Sequence, residues 1–392
     1  MQSEAGGCEV TKRALIVGAG IAGQTLACAL AKTEYQIDIV EKSQSWEVLG
    51  TGMYVQNNAL RGLQEIGVAE QIVKAGWHSP TGVSTITDMH GNTLAQTVVP
   101  PCPGSDYPGY VPIGRPVLHA ILLAAVEAAG VTIQMGKSVT GISQSGDRVD
   151  VSFTDGARAS YDIVIGADGV NSSVRSLVFA EIEPQYSGFS NWRAILPMAT
   201  PLADTMWQMG PEKSVGIIPI SDDELYIAGV SKEPGNPWFE PETLVRRMHE
   251  RFAMFGGRAG GLLKQITRSE QIVYTPIKEI IMEPPWFKGR VVLVGDAAHA
   301  STPFWAQGAS MAIEDVIVLY WLLRENRDVP DIFSEWQERR FERCAFVQNG
   351  SKSTGVNGHA AGLEAMNRAA EHIRNHAQDN VNSRYERLNQ PI

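Results

Sequence analysis

The chain has 392 residues, 44% of them hydrophobic, and a formal net charge of −10. This length exceeds what one simple core absorbs and suits two intertwined domains of ordinary globular composition, and the acidic balance weighs against nucleic acid as the main partner. Four scattered cysteines (Cys8, Cys28, Cys102 and Cys344) contain no CxxC pair, so neither a metal site nor a disulfide framework is expected. The longest apolar run, Ile317 to Leu323, is too short to span a bilayer. Met1 to Thr11 has no apolar core of the signal-peptide kind, so a soluble cytoplasmic protein is expected.

Ala14 to Val17 reads as a buried strand, followed at once by Gly18, Gly20 and Gly23 in G-x-G-x-x-G spacing. Ile21 to Lys32 reads as a helix rich in small residues. Gln36 to Val40 is a second strand closed by Glu41. Gly18 permits the tight turn, Gly20 lets the backbone approach a pyrophosphate, and Gly23 lets helix and strand pack closely. The helix N-terminus attracts phosphate, and Glu41 accepts hydrogen bonds from a ribose hydroxyl. A Gly-rich turn that binds nothing is the competing reading, and the full strand–turn–helix–strand–acid context weighs against it. An acid at position 41 disfavours a 2′-phosphate, so this site suits FAD or NAD.

Gly50 and Gly52 allow close backbone approach ahead of a helix over Asn58 to Ile66. Residues 77–109 are polar and rich in Pro and Gly, with a β-like piece over Gly82 to Thr87. Arg115 stands before Pro116 at the start of another helix. It reads either as a surface arginine or as a contact to an anionic cofactor. Val131 to Met135, Ser138 to Ser143 and Arg148 to Phe153 read as a β-meander. Tyr161 to Arg175 repeats the opening grammar, a buried strand running into Gly166-Ala167-Asp168-Gly169 and a short helix.

From 186 to 286 Trp, Met and Pro become frequent. Trp192 to Leu196, Thr205 to Met209, Val215 to Pro219 and Leu225 to Val230 read as strands of a mainly antiparallel unit, followed by a helix over Pro241 to Phe255. Trp192, Met206, Trp207, Met209 and Tyr226 are candidates to line a pocket for a flat ligand. At period two, half of them face a core instead. Arg290 to Leu323 then gives a third strand, ending at Gly295-Asp296. A loop with Pro303 follows, and then a helix opening near Gly308-Ala309. The strand ends at Gly18, Asp168 and Asp296 are thus expected along one sheet edge, where open α/β sheets bind ligands. Phe333 to Leu388 reads as a helical tail.

In order and spacing these three motifs resemble the single-component FAD-dependent aromatic hydroxylases, the p-hydroxybenzoate hydroxylase-like family. Within it the branch acting on hydroxynicotinate, salicylate and urate is the most similar. The resemblance runs from Arg13 to Arg340 and implies an α/β fold: a Rossmann-like FAD-binding domain, an inserted mainly antiparallel β-sheet substrate domain and a helical C-terminal tail. The corresponding partition is 12–76, 110–185 and 287–340 for the FAD-binding domain, 77–109 and 186–286 for the substrate domain, and 341–392 for the tail. It implies that Gly18, Gly20, Ile21, Ala22 and Gly23 cradle the pyrophosphate. Glu41 holds the adenosine ribose, with Lys42 where relatives often have arginine. Gly52 and Arg115 contact the cofactor, and Val139 lies near the adenine. Asp168 serves flavin and NAD(P)H handling, Asp296 bonds the ribityl or pyrophosphate part, and Pro303, Gly308 and Ala309 meet the isoalloxazine. Ala306 departs from the family's usual glycine and puts the geometry of that loop in question. His299 belongs to the motif as a structural residue.

Tyr226 first, and Tyr54 second, are expected to orient or deprotonate substrate beside Pro303, with Trp192 and Met206 against the ring. The implied activity is an NAD(P)H- and O2-dependent monooxygenase working through a flavin C4a-hydroperoxide on a small phenolic or hydroxylated N-heteroaromatic substrate. With one G-x-G-x-x-G only, NADH or NADPH is expected to dock transiently. An epoxidase or oxidase on the same fold, and a non-catalytic dinucleotide-binding protein, are the alternatives. The W-x-W-x-I-P signature of flavin halogenases is absent. Monomer and homodimer both remain open.

Overall fold

The computed structural model describes residues 12–46, 51–179, 182–325 and 327–392. Gly50, Cys8 and the segment Met1 to Thr11 lie outside the described residues. The apolar runs build a six-stranded sheet in the order Phe287–Lys288, Val291–Leu293, Ile163–Gly166, Arg13–Val17, Gln36–Glu41, Ile133–Met135. Every neighbouring pair is parallel except the first, which is antiparallel. The central strands are buried almost throughout, which is why they read as continuous apolar runs rather than alternating ones.

The strands ending at Gly18, Asp168 and Asp296 are direct neighbours, so the expected shared edge exists. Gly18 has φ +100°, a conformation that L side chains avoid. A Cβ on Gly23 would stand 1.9 Å from the Gly18 carbonyl oxygen, so only glycine lets this helix approach its strand.

Ile133–Met135 pairs in parallel with Gln36–Glu41 and belongs to this sheet rather than to a meander. The meander is instead Val139–Ser145, Arg148–Phe153 and Arg158–Tyr161, all antiparallel. A seven-stranded sheet joins the stretches 77–109 and 186–286 in the order Val273–Glu279, Gln185–Pro197, Glu224–Lys232, Lys213–Pro219, Thr205–Gly210, Val83–Asp88, Thr93–Val98. It is antiparallel except where Thr205–Gly210 runs parallel to Val83–Asp88. Its second core gathers Trp192, Ile217, Ile227, Met248 and Phe252. The expected helix over Pro241 to Phe255 forms as a 3-10 turn, Pro241–Thr243, running into helix Leu244–Arg251, and ends four residues early; a further short helix, Gly257–Leu263, follows beyond Gly256.

The C-terminal region is two long helices, Val329–Gly358 and Leu363–Leu388. The first runs unbroken across position 340, where the sequence reading began a separate tail. It is bonded to helix Gly308–Leu323 by buried charge. Arg340 donates from Nε to Asp315 Oδ1 at 2.8 Å and from Nη1 to Glu314 Oε2 at 2.8 Å. Arg343 donates to both Glu314 oxygens, at 2.6 and 2.7 Å. Burial alone raises a carboxyl; here Arg340 and Arg343 hold Glu314 below the ordinary range, and His299 with Arg340 does the same for Asp315. No described helix is long and apolar enough to cross a membrane.

Removing one partner of a buried pair strands the other's charge. Arg340→Met is therefore expected to cost about 3–5 kcal/mol of stability. Thermal or urea denaturation of the variant against wild type checks this.

Candidate active site

A cavity of about 1470 Å³ opens where the three strand ends meet the seven-stranded sheet and the C-terminal helices. Gly20, Ile21 and Ala22 are on its wall, and a Cβ on Gly20 would meet nothing within 4 Å. Helix Ile21–Leu30 has no side-chain cap, which leaves its first N–H groups available to a ligand. Gly18, Gly23, Glu41, Lys42 and Val139 are off the wall. Glu41 flanks the turn, accepting from the Ala19 and Ser43 N–H groups at 3.0 Å each, one per oxygen. Val139 is buried in the main core.

Asp168 is not on the wall either. Its carboxylate accepts from the Ser172 hydroxyl and from the Ser173 and Val174 N–H groups at 2.7 and 3.1 Å, so it caps helix Ser173–Val178. Burial raises its carboxyl above the usual range, against the pull of these donors. Its backbone neighbours Ala167 and Gly169 do line the cavity. Arg175 is fully buried and donates to the carbonyls of Ala297 and Val170 at 2.8 Å each, tying this loop to the one that carries Asp296.

Asp296 faces the cavity at the end of Val291–Leu293. It is open to the cavity yet walled by protein on its other sides, and desolvation lifts its carboxyl while His299 and Arg115 oppose the shift. His299 is buried behind it. Burial opposes the charged form, yet Cys344 and Asp315 raise the ring well above its ordinary range, which favours the proton shared with Asp315 staying on the imidazole. Pro303 starts a 3-10 turn on the wall. Ala306 then takes the left-handed conformation, φ 50° and ψ 35°. The position that departs from the family glycine is thus one where glycine is conformationally favoured. Gly308 and Ala309 open the next helix, again without a side-chain cap. The Ser310 hydroxyl and Gln307 Nε2 nearby are buried without partners.

Arg115 is exposed on the cavity wall at the first turn of helix Arg115–Ala128, with its N–H bonded to the Thr51 carbonyl at 2.8 Å. Tyr226 lies over Gly52, where a Cβ would be 2.6 Å from its ring. Tyr54 packs edge-on to Tyr110 at 5.2 Å. Desolvation pushes the Tyr226 hydroxyl up to about 12, with Arg193 and Arg115 pulling the other way, and pushes Tyr54 higher still. Both are neutral donors at physiological pH.

Trp192 and Met206 are corrections. Trp192 is fully buried, donates to Ser231 Oγ at 2.9 Å, and belongs to the second core, against which Met206 also packs. Alternation decides this. Trp192, Ala194 and Leu196 face the core, so Asn191 and Arg193 face the cavity. Met206 faces the core, so Thr205, Trp207 and Met209 face the cavity.

The sequence reading missed Arg193. Its Nη2 donates to Thr275 Oγ1 at 2.6 Å, while its Nε is buried with no partner. No described carboxylate pairs with it, and burial, together with the like charge of Arg115, lowers its pKa. The signal was present: a charged residue between two core-facing ones in a strand must look out of the core.

Known proteins resemble this chain in sequence and in fold. The model of the FAD binding domain family matches residues 11–328. The 2-heptyl-3-hydroxy-4(1H)-quinolone synthase of Pseudomonas aeruginosa is 32% identical over 335 residues, covering 84% of this chain and 85% of that protein. The 6-hydroxynicotinate 3-monooxygenase of Bordetella bronchiseptica is 29% identical, covering 86% and 90%. The crystal structure of Klebsiella pneumoniae HpxO complexed with FAD and uric acid superposes with a TM-score of 0.87 over 97% of each chain at 24% identity, a likeness of fold.

Ala306→Gly is expected to stabilise the protein by about 1 kcal/mol, by removing the left-handed penalty. A rise in thermal midpoint at unchanged cofactor content checks it.

Proposed function

Because the chain belongs to the FAD binding domain family of flavoprotein monooxygenases, we propose that it hydroxylates a small phenolic or hydroxylated N-heteroaromatic ring at the expense of NAD(P)H and O2. The observation that carries this reading is one cavity that joins the Asp296–Pro303–Gly308 strand end to Tyr226 and Arg193. In the balanced reaction one oxygen atom replaces a ring hydrogen as hydroxyl, the other leaves as water, and NAD(P)H with a proton becomes NAD(P)+. FAD, when bound, would supply the redox chemistry that couples NAD(P)H oxidation to the activation of O2.

The residues present fit that cofactor. Two uncapped helix N-termini, at Ile21 and Gly308, face one cavity, as do the open space beside Gly20 and the Arg115 guanidinium. In this assignment the Gly18–Gly23 turn takes the pyrophosphate, Glu41 and Lys42 flank the adenosine ribose, and Asp296 bonds the ribityl portion. The Gly308 and Ala309 amides would hold the ring system, with helix-end donors able to stabilise negative charge there. Asp168 acts through its cap, by fixing the loop that presents Ala167 and Gly169. Tyr226 donates a hydrogen bond to the substrate's ring oxygen, Arg193 meets that oxygen's developing negative charge, and Tyr54 closes the wall. The aromatic and apolar lining excludes water from the reacting edge.

The purified protein should be yellow with FAD and oxidise NAD(P)H faster when a hydroxylated aromatic is added. Label from isotopic O2 should enter the product. A colourless protein, or label only in hydrogen peroxide, would sink the reading; the latter outcome belongs to an oxidase.

Tyr226→Phe is expected to lower kcat/KM by roughly tenfold to a hundredfold, the worth of a donor to a charged oxygen. The pH–rate profile through the neutral range should keep its shape, because a hydroxyl pushed up to about 12 does not titrate there. A neutral-range limb that disappears in the variant would mark Tyr226 as a base instead.

A further inference from the structure

The far limb of the cavity is built differently from the rest. Ala365, Ala369, Ile373, Ala377 and Val381 recur every fourth residue of helix Leu363–Leu388, and all five are on the wall. Residues four apart stack on one helix face. They therefore form an apolar stripe about 24 Å long at 1.5 Å per residue. Ile86, Val99 and Met209, from the seven-stranded sheet and its edge, line the same cavity. The helix is fixed to that edge at Gln378, whose Oε1 accepts from the Val98 N–H at 2.7 Å and whose Nε2 donates to the Val98 carbonyl at 3.0 Å.

Only the last residue of the stripe, Val381, packs against the main core; Ala365, Ala369, Ile373 and Ala377 join none of the described core clusters. Among the described residues, the fully buried apolar side chains of this helix are Tyr385 and Leu388, at its far end. The five stripe residues are only half-buried. A second, independent feature also calls for an occupant. Two guanidinium groups on the wall keep a buried Nε without a partner, Arg193 on the sheet and Arg384 on this same helix. Arg384 lies over the Trp305 ring at 4.2 Å, where the Pro303 turn meets the limb. Buried unpaired donors and an uncovered apolar stripe each cost free energy in an empty cavity. A flat polar ring at Tyr226 relieves the Arg193 end and leaves the stripe bare.

We propose that the substrate is amphiphilic: a hydroxylated aromatic head seated between Pro303, Tyr226 and Arg193, bearing an extended apolar chain that lies along the Ala365–Val381 stripe. The proposal rests on the hydroxylase reading for the head and on the stripe for the chain. The chain gains affinity by covering Ala369, Ile373 and Ala377, and the head fixes which ring carbon meets the cofactor.

The test uses the FAD-loaded enzyme with 4-hydroxyquinoline and its 2-propyl, 2-heptyl and 2-undecyl derivatives. Kd is read from the perturbation of the flavin absorbance, and turnover separately from NAD(P)H oxidation. Each methylene that enters the limb should tighten Kd by about two- to fourfold until the stripe is covered. Ala369→Trp and Ala377→Trp, which fill the limb, should flatten that dependence, with FAD content and the spectrum of bound flavin confirming the fold. A wild-type Kd indifferent to chain length overturns the proposal, and so does a dependence that survives in both variants. Failure of the hydroxylase reading looks different: chain-dependent binding without ring-stimulated NAD(P)H oxidation leaves the limb standing and removes the reaction.

Discussion

Glu314 and Asp315 stand side by side in an otherwise apolar helix, both without solvent contact, and the cavity depends on how their charge is met. Asp315 accepts from the Gly295 N–H at 2.9 Å and from His299, so it fixes the turn that carries Asp296 to the wall. Glu314 accepts from Asn58 at 2.9 Å, which anchors the helix leading out of the Gly52–Gln56 strand. Arg340 and Arg343 answer from the C-terminal region. Three segments distant in sequence are thus aligned by one buried cluster. Such clusters contribute little net stability relative to a packed apolar core, but any member without its partners is costly. The cost enforces register: the helix that opens at Gly308 has one position in which both acids are satisfied.

The same C-terminal helix shapes the Pro303 turn by contact. A Cβ on Gly350 would fall 2.0 Å from the Trp305 ring, and one on Gly355 would fall 2.1 Å from the Phe304 ring. The two aromatic side chains lie directly on backbone there. His359 packs edge-on to Phe189 and tilted over Phe304, at 5.4 and 5.1 Å. Burial pulls its pKa down to about 4, so it stays a neutral ring bonded to Ser214 and the Gly355 carbonyl. With the turn clamped from this side and Gln56 near the Ala306 carbonyl on the other, Ala306 holds its left-handed conformation without glycine. The departure from the family pattern therefore alters strain and leaves the course of the loop intact.

Where the sequence was legible, a single physical constraint had a single reading. Continuous apolar runs stopped by glycine mean buried parallel strands, and this located the three strand ends and their common edge. It failed where one pattern serves two purposes. An acid before a short helix reads alike as ligand or as cap, and Asp168 is a cap. The strands of the second sheet have a packed core on one face and a partly apolar cavity on the other, so composition could not tell Trp192 from Trp207; on the first strand the parity set by Arg193 could. The Arg340–Glu314 pairing spans different helices and leaves no periodic trace. The meander was misjudged by one strand because Ile133–Met135, three half-buried residues with Gln134 in the middle, is too short to show which sheet it joins.

The charges left on the wall give the cavity its chemical character. Asp296 is lifted toward neutrality by desolvation, and the tyrosines remain protonated. Arg115 and Arg193 have no carboxylate of the protein within ion-pairing distance among the described residues, and two helix N-termini point inward uncapped. Among the described lining residues the cations Arg115, Arg193, Arg368 and Arg384 thus outnumber the one acid, Asp296. Such a wall disfavours bound cations and favours groups that carry or develop negative charge: a diphosphate, a reduced flavin, an aromatic oxyanion. In the proposed reaction, stabilising an aromatic oxyanion beside Arg193 and Tyr226 would lower the substrate's own pKa, so proton removal would need no buried base with a matched pKa.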